Sequence, residues 1–223
     1  MVDRIILYVS HFLALMVVLT IHEFAHAFVA VKSGDLTPKI YGRYTLNPFA
    51  HFDIIGLIFF VFIGFGWAKP VPVNPNNFKN PKRDYFFVSA AGVTANLILA
   101  FFVFPLYFLS LKIPQLGYFT EVLQLTLYFI YRFCIVFFIF NLLPIYPLDG
   151  FRIVDCFVKR RGKIYYFLRN YGIYVLYSLI LLGFIADISG ISSIDILSTA
   201  INFLMYYIDY PIKAFWGLWG IVL

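Results

Sequence analysis

Apolar residues run along this chain in long blocks separated by short polar connectors. Five blocks, Ile5–Val31, Tyr85–Leu111, Phe119–Leu143, Tyr165–Ala186 and Ile194–Leu218, reach or approach the roughly 20 residues that a helix needs to cross the hydrocarbon core. Each predicts a membrane-spanning helix. A sixth block, Ile54–Phe65, is too short for a span and predicts a re-entrant or interfacial segment. The stretches Gly34–Asp53 and Gly66–Asp84 are rich in Pro, Asn and Gly and read as loops. Within the second, Trp67–Asn74 alternates Pro70 and Pro72 with valines, which blocks a helix and favours an extended edge segment. An open edge of this kind offers a place for a peptide. The expectation is an all-α polytopic membrane protein of five to six membrane segments, with a re-entrant or extended β-like piece between the first and second full spans.

Composition supports that reading. The chain has 223 residues, 62% hydrophobic and 13% charged, with a mean hydropathy of +0.87, which leaves too little polar surface to cover a water-soluble globule. No soluble domain is visible. The 22% aromatic share fits helices with ring belts at the headgroups. A formal charge of +6 raises the question of nucleic acid, but the basic residues lie in short connectors, so membrane topology explains them and no nucleic-acid partner is expected.

If the first span runs from outside to inside, every Lys and Arg falls on the cytoplasmic side except Arg4, Lys112 and the intramembrane Arg132. This holds only if Ile54–Phe65 dips in and returns. Arg132, within the third full span, either snorkels or lines the bundle interior. Ile5–Val31 is too long for a signal peptide and carries a Glu between two His, so it is read as a retained span. Cys134 and Cys156 show neither CxxC spacing nor a disulfide framework.

Chemistry concentrates in His22-Glu23-Phe24-Ala25-His26. On a helix the two imidazoles, four residues apart, leave from one face and reach one zinc ion, with Glu23 beside it as the base for a metal-bound water. Three ionisable groups in five residues of an apolar helix are costly there and point to function. A catalytic zinc needs a third protein ligand, and His11, His51, Asp53, Asp149 and Asp155 are the candidates. His11 shares the helical face but lies about 16 Å away. Asp149 follows two prolines and precedes Gly150, where a broken helix aims a carboxylate into the bundle, although it equally well caps the next helix.

His22–His26 together with Asn141-Leu142-Leu143-Pro144-Ile145-Tyr146-Pro147-Leu148-Asp149-Gly150 resembles the site-2 protease family of intramembrane metalloproteases. Ala91-Gly92 and Asn96 on the intervening span are similar to it too, so the resemblance covers roughly Ile5 to Phe157. It implies His22, His26 and Asp149 as ligands of one Zn2+, Glu23 as general base and acid, and Asn141 as a contact to substrate or oxyanion. Asn96 is carried as a weaker candidate of the same kind, against a plain inter-helix hydrogen bond. Val71 and Val73 are candidates for pairing with an unwound substrate. His51 and Asp53 are candidates for a supporting pair around the site, or simply for bracing their loop.

No PDZ-like insert or nucleotide-sensing tail is seen, which matches the compact branch of that family. One domain is expected over 1–223, with a catalytic core at about 5–157 and C-terminal spans at 164–218. Function is expected to be zinc-dependent hydrolysis of single-span or multi-span membrane protein substrates in a prokaryotic cell membrane, on its cytoplasmic side. The rival is an ion or metal transporter using the His/Asp cluster. The absence of an internal repeat weakens it.

Overall fold

The computed structural model describes residues 2–56, 59, 66, 68–191 and 194–221. Six helices of nine residues or more dominate it: α1 (Val2–Lys32), α2 (Pro81–Ser110), α3 (Tyr118–Asn141), α4 (Asp149–Phe157), α5 (Lys163–Ser189) and α6 (Ile196–Gly217). Among the described residues there is no strand, only an isolated antiparallel bridge between Phe52 and Ala68. The architecture is all-α. Four helices, α1, α2, α3 and α5, are long and apolar enough to cross a membrane. The fifth expected span, Ile194–Leu218, forms α6 but is not among those four; it carries Asn202, Asp209, Lys213 and an internal Pro211. Most of the expected re-entrant segment Ile54–Phe65 lies outside the described residues.

Small residues let α1, α2 and α3 pack closely. Ala14 and Val18 of α1, Ala100 and Phe104 of α2, and Cys134 and Ile135 of α3 are buried in one cluster. The apolar window of α1 is 44% buried inside the protein and that of α5 only 17%, so α5 leaves most of its apolar surface uncovered by the rest of the described chain. It still touches the site region, because Gly172 of α5 lies against the backbone of Tyr146.

Beyond α1 the chain returns along it. A strap from Lys69 to Lys79 is tied down by Lys69 N–H to His51 O (2.7 Å), Asn74 N–H to Asp35 Oδ2 (2.8 Å), Asn77 Nδ2 to Asp35 Oδ1 (2.8 Å) and Lys79 N–H to Ser33 O (3.0 Å). Asp35 is fully buried and also accepts from the Thr37 hydroxyl and amide. Burial works against its charge, but these donors outweigh it and hold the carboxyl below the usual range. The strap thereby sits beside the last turns of α1, where the His-Glu-x-x-His segment lies.

Candidate active site

His22 and His26 stand one turn apart on α1, both buried. Their Nε2 atoms are 3.2 Å from each other. Asp149 Oδ2 lies 3.3 Å from His22 Nε2 and 3.0 Å from His26 Nε2. The three atoms form a nearly equilateral triangle, and the buried Asp149 Oδ2 has no conventional hydrogen-bond donor to satisfy it.

The broken stretch after α3 delivers Asp149. Asp149 is the first residue of α4, and the chain doubles back so tightly that a Cβ on Gly150 would stand 2.2 Å from Leu142 O. Only glycine fits that approach. The expected capping role is not realised: Leu148 holds the N-cap position, no side chain caps this end, and the Asp149 carboxylate meets the histidines instead.

From the other side, α2 holds both rings. His26 Nδ1 donates to Val88 O at 2.7 Å. The Asn96 amide reaches His22 Nδ1 at 3.1 Å. Gly92, between them, lies so close that a Cβ there would be 2.4 Å from His26 Nε2 and 2.7 Å from His22 Nε2. Two imidazole nitrogens and a carboxylate oxygen at this spacing could hold one metal ion, zinc among the metals such donors suit, and the orphaned Oδ2 fits a metal partner.

Glu23 points into a cavity of about 120 Å³ together with Val71, Val73, Asn141 and Arg152. Its Oε2 accepts from the Val71 N–H at 2.9 Å. Asn141 donates to Phe137 O at 3.1 Å from the last turn of α3. Arg152 Nη1 lies 3.8 Å from Asp149 Oδ1, on the carboxylate oxygen that faces away from the histidines.

Several sequence-derived expectations change here. Asn96 is fully buried and meets His22, so it is not placed to touch substrate. His51 and Asp53 do not pair: the buried His51 Nε2 bonds Thr45 O at 2.8 Å, and Asp53 Oδ1 accepts from Ile55 and Gly56 N–H. Both side chains find these partners within their own loop. Asp155 is engaged by Tyr165 and Arg161, and His11 by Leu7 O. The Val71 N–H, Val88 O and Arg152 contacts were not anticipated. Two are backbone groups that carry no side-chain signal, whereas Gly92 in an apolar helix was a readable sign of close approach.

Comparison with known proteins is consistent with this geometry. Residues 110–183 match Peptidase family M50, a stretch that includes Asn141 to Gly150 but not the His22–His26 segment. The chain is 46% identical over 145 residues to a Bacillus subtilis (strain 168) protein named "Putative zinc metalloprotease YwhC". That alignment covers 64% of this chain and 66% of the relative, just under two thirds of its length. No solved structure matches the chain.

Proposed function

From a chain that belongs to peptidase family M50, the site-2 proteases, we propose an intramembrane zinc metalloprotease that hydrolyses peptide bonds of membrane-spanning protein substrates. The observation that carries the reading is the buried triangle of His22 Nε2, His26 Nε2 and the orphaned Asp149 Oδ2 beside the Glu23 carboxylate.

One Zn2+ held by His22, His26 and Asp149 would supply Lewis-acid polarisation of the scissile carbonyl and a water acidified towards neutrality. Glu23 accepts the proton of the attacking water on Oε1 while Oε2 stays anchored to Val71 N–H, and returns that proton to the departing nitrogen. Asn141 spends one amide hydrogen on Phe137 O and offers the other to the oxyanion. An unwound substrate lies along the cavity wall formed by Val71 and Val73, with the Val73 backbone as the group left for pairing.

The charge bias of the connectors supports a site on the cytoplasmic side of a cell membrane, in a protein of five to six membrane segments, and the Bacillus relative fits a prokaryotic source. Within the single domain, residues 5–157 carry the catalytic core and 164–218 the C-terminal spans.

The test is metal analysis combined with cleavage of a single-span substrate by purified protein. Wild type and Glu23→Gln are expected to hold one zinc per chain, with cleavage abolished in the variant, and Asp149→Ala is expected to lose zinc. Continued cleavage by pure Glu23→Gln, or a wild type that takes up no zinc, would overturn the reading. Glu23-independent metal or proton flux in liposomes would instead favour transport.

A further inference from the structure

We propose that Asn96 is a positioning residue for His22, with its amide turned so that Oδ1 accepts a hydrogen bond from the His22 Nδ1–H. The inference rests on the zinc reading of the triangle. A neutral imidazole carries one N–H and one lone pair. His22 Nε2 is the atom that faces Asp149 Oδ2 and His26 Nε2, so a metal there requires the lone pair on Nε2 and the hydrogen on Nδ1.

The Asn96 amide is the group 3.1 Å from that Nδ1. If its NH2 end faced the ring, two donors would meet head to head, or the ring would have to adopt the tautomer that cannot bind metal. The amide oxygen, meanwhile, is buried and has no donor to accept from in that orientation. Turning the amide by half a rotation brings an acceptor that lacks a donor to a ring N–H that lacks an acceptor. Orientations of a side-chain amide are decided by such complementarity.

The same device operates on the neighbouring ligand. His26 Nδ1 donates to Val88 O at 2.7 Å, so both ligand tautomers are set from α2, one by a main-chain carbonyl and one by a side chain two turns further along. Metal-ligating histidines generally depend on such outer partners, and their loss costs about 10–100-fold in metal affinity or activity. Of the two, only the Asn96 contact can be altered by substitution.

The test measures zinc affinity of purified protein by chelator competition, with circular dichroism and thermal melts to confirm folding. Asn96→Leu removes the acceptor and is expected to weaken zinc binding about 10–100-fold. Asn96→Asp keeps an acceptor and has no NH2, so it is expected to bind zinc at least as tightly as wild type. A folded Asn96→Leu with wild-type affinity overturns the proposal while leaving the zinc reading intact. So does Asn96→Asp losing more than tenfold, and that arm decides alone where the leucine variant does not fold. A wild type that takes up no zinc instead fells the zinc reading itself, and this inference with it.

Discussion

The backbone N–H of Val71 donates to Glu23 Oε2 at 2.9 Å, joining the middle of the strap to the carboxylate that lies between His22 and His26 in the chain. One oxygen of that carboxylate is thereby fixed, and among the described residues the other has no hydrogen-bonded partner. Hydrogen bonds to charged groups contribute about 1.5–3 kcal/mol. Val71→Pro deletes this donor and is expected to lower kcat/KM about ten- to 150-fold with zinc content unchanged. Val71→Ala keeps the N–H and should stay within a few-fold of wild type. Equal activity of the two variants on a single-span substrate would show that the donor is dispensable. The same contact changes what a proline at this position reports: a loss of activity cannot be assigned to strand pairing alone, and Val73→Pro is the cleaner probe of that.

Gly92 offers a second, purely steric prediction. A Cβ at this position would stand 2.4 Å from His26 Nε2, 2.6 Å from His22 Cε1 and 2.7 Å from His22 Nε2. The rings are buried and their outer nitrogens are engaged from the same helix, so neither can retreat easily. Gly92→Ala is expected to abolish stoichiometric zinc binding while membrane insertion and helix content persist. Metal analysis with circular dichroism checks it; a zinc-replete Gly92→Ala protein would mean that the helices can part without cost.

Much of this site was legible in the sequence, for physical reasons. Side-chain chemistry at fixed helical spacing marks His22, Glu23 and His26, and two prolines with a glycine mark the place where a carboxylate can leave a broken helix, so Asp149 was in view. What could not be read were contacts made by the main chain, such as Val71 N–H and Val88 O, since every residue but proline carries the same donor and acceptor. Asn96 and His51 were both visible as polar residues in apolar or loop surroundings, yet their partners depend on which helix or loop lies opposite. Asn96 therefore meets His22 across the bundle, whereas the His51 ring bonds within its own loop. Length and hydropathy likewise found Ile194–Leu218, but not that its Asp209 and Lys213 would form an ion pair with each other.

Asp35 gives the strap its pH dependence. Its carboxyl is held below the usual range, so the sign is fixed: the stabilisation is complete above the unfolded value near 4 and is lost as pH falls through the depressed folded value. Asp35→Asn removes two or more charge-assisted bonds, from Asn74 N–H and Asn77 Nδ2 among others, and is expected to cost about 1–3 kcal/mol at neutral pH. Thermal melts in detergent should show wild type losing stability below about pH 4, with Asp35→Asn losing less over the same interval. Parallel pH profiles of the two proteins would remove Asp35 as the titrating group.

The docking of α6 makes a prediction independent of the zinc site. Tyr131, buried on α3, donates its hydroxyl hydrogen to Asp209 Oδ1, and Lys213 pairs with the other oxygen of the same carboxylate. Trp216 adds a bond from Nε1–H to Phe101 O at 2.9 Å, tying α6 to α2 as well. In an apolar setting, removing one member of such a network leaves the others without partners, so the single changes should be costly and not additive. Tyr131→Phe and Asp209→Asn are each expected to lower the melting temperature, with a coupling of about 1–2 kcal/mol in the double-mutant cycle. Zinc content should remain at the wild-type level, because none of these side chains touches His22, His26 or Asp149. Strict additivity would show that the hydroxyl and carboxylate act separately, and zinc loss in the single variants would show that α6 supports the metal site through the α3 helix it packs on.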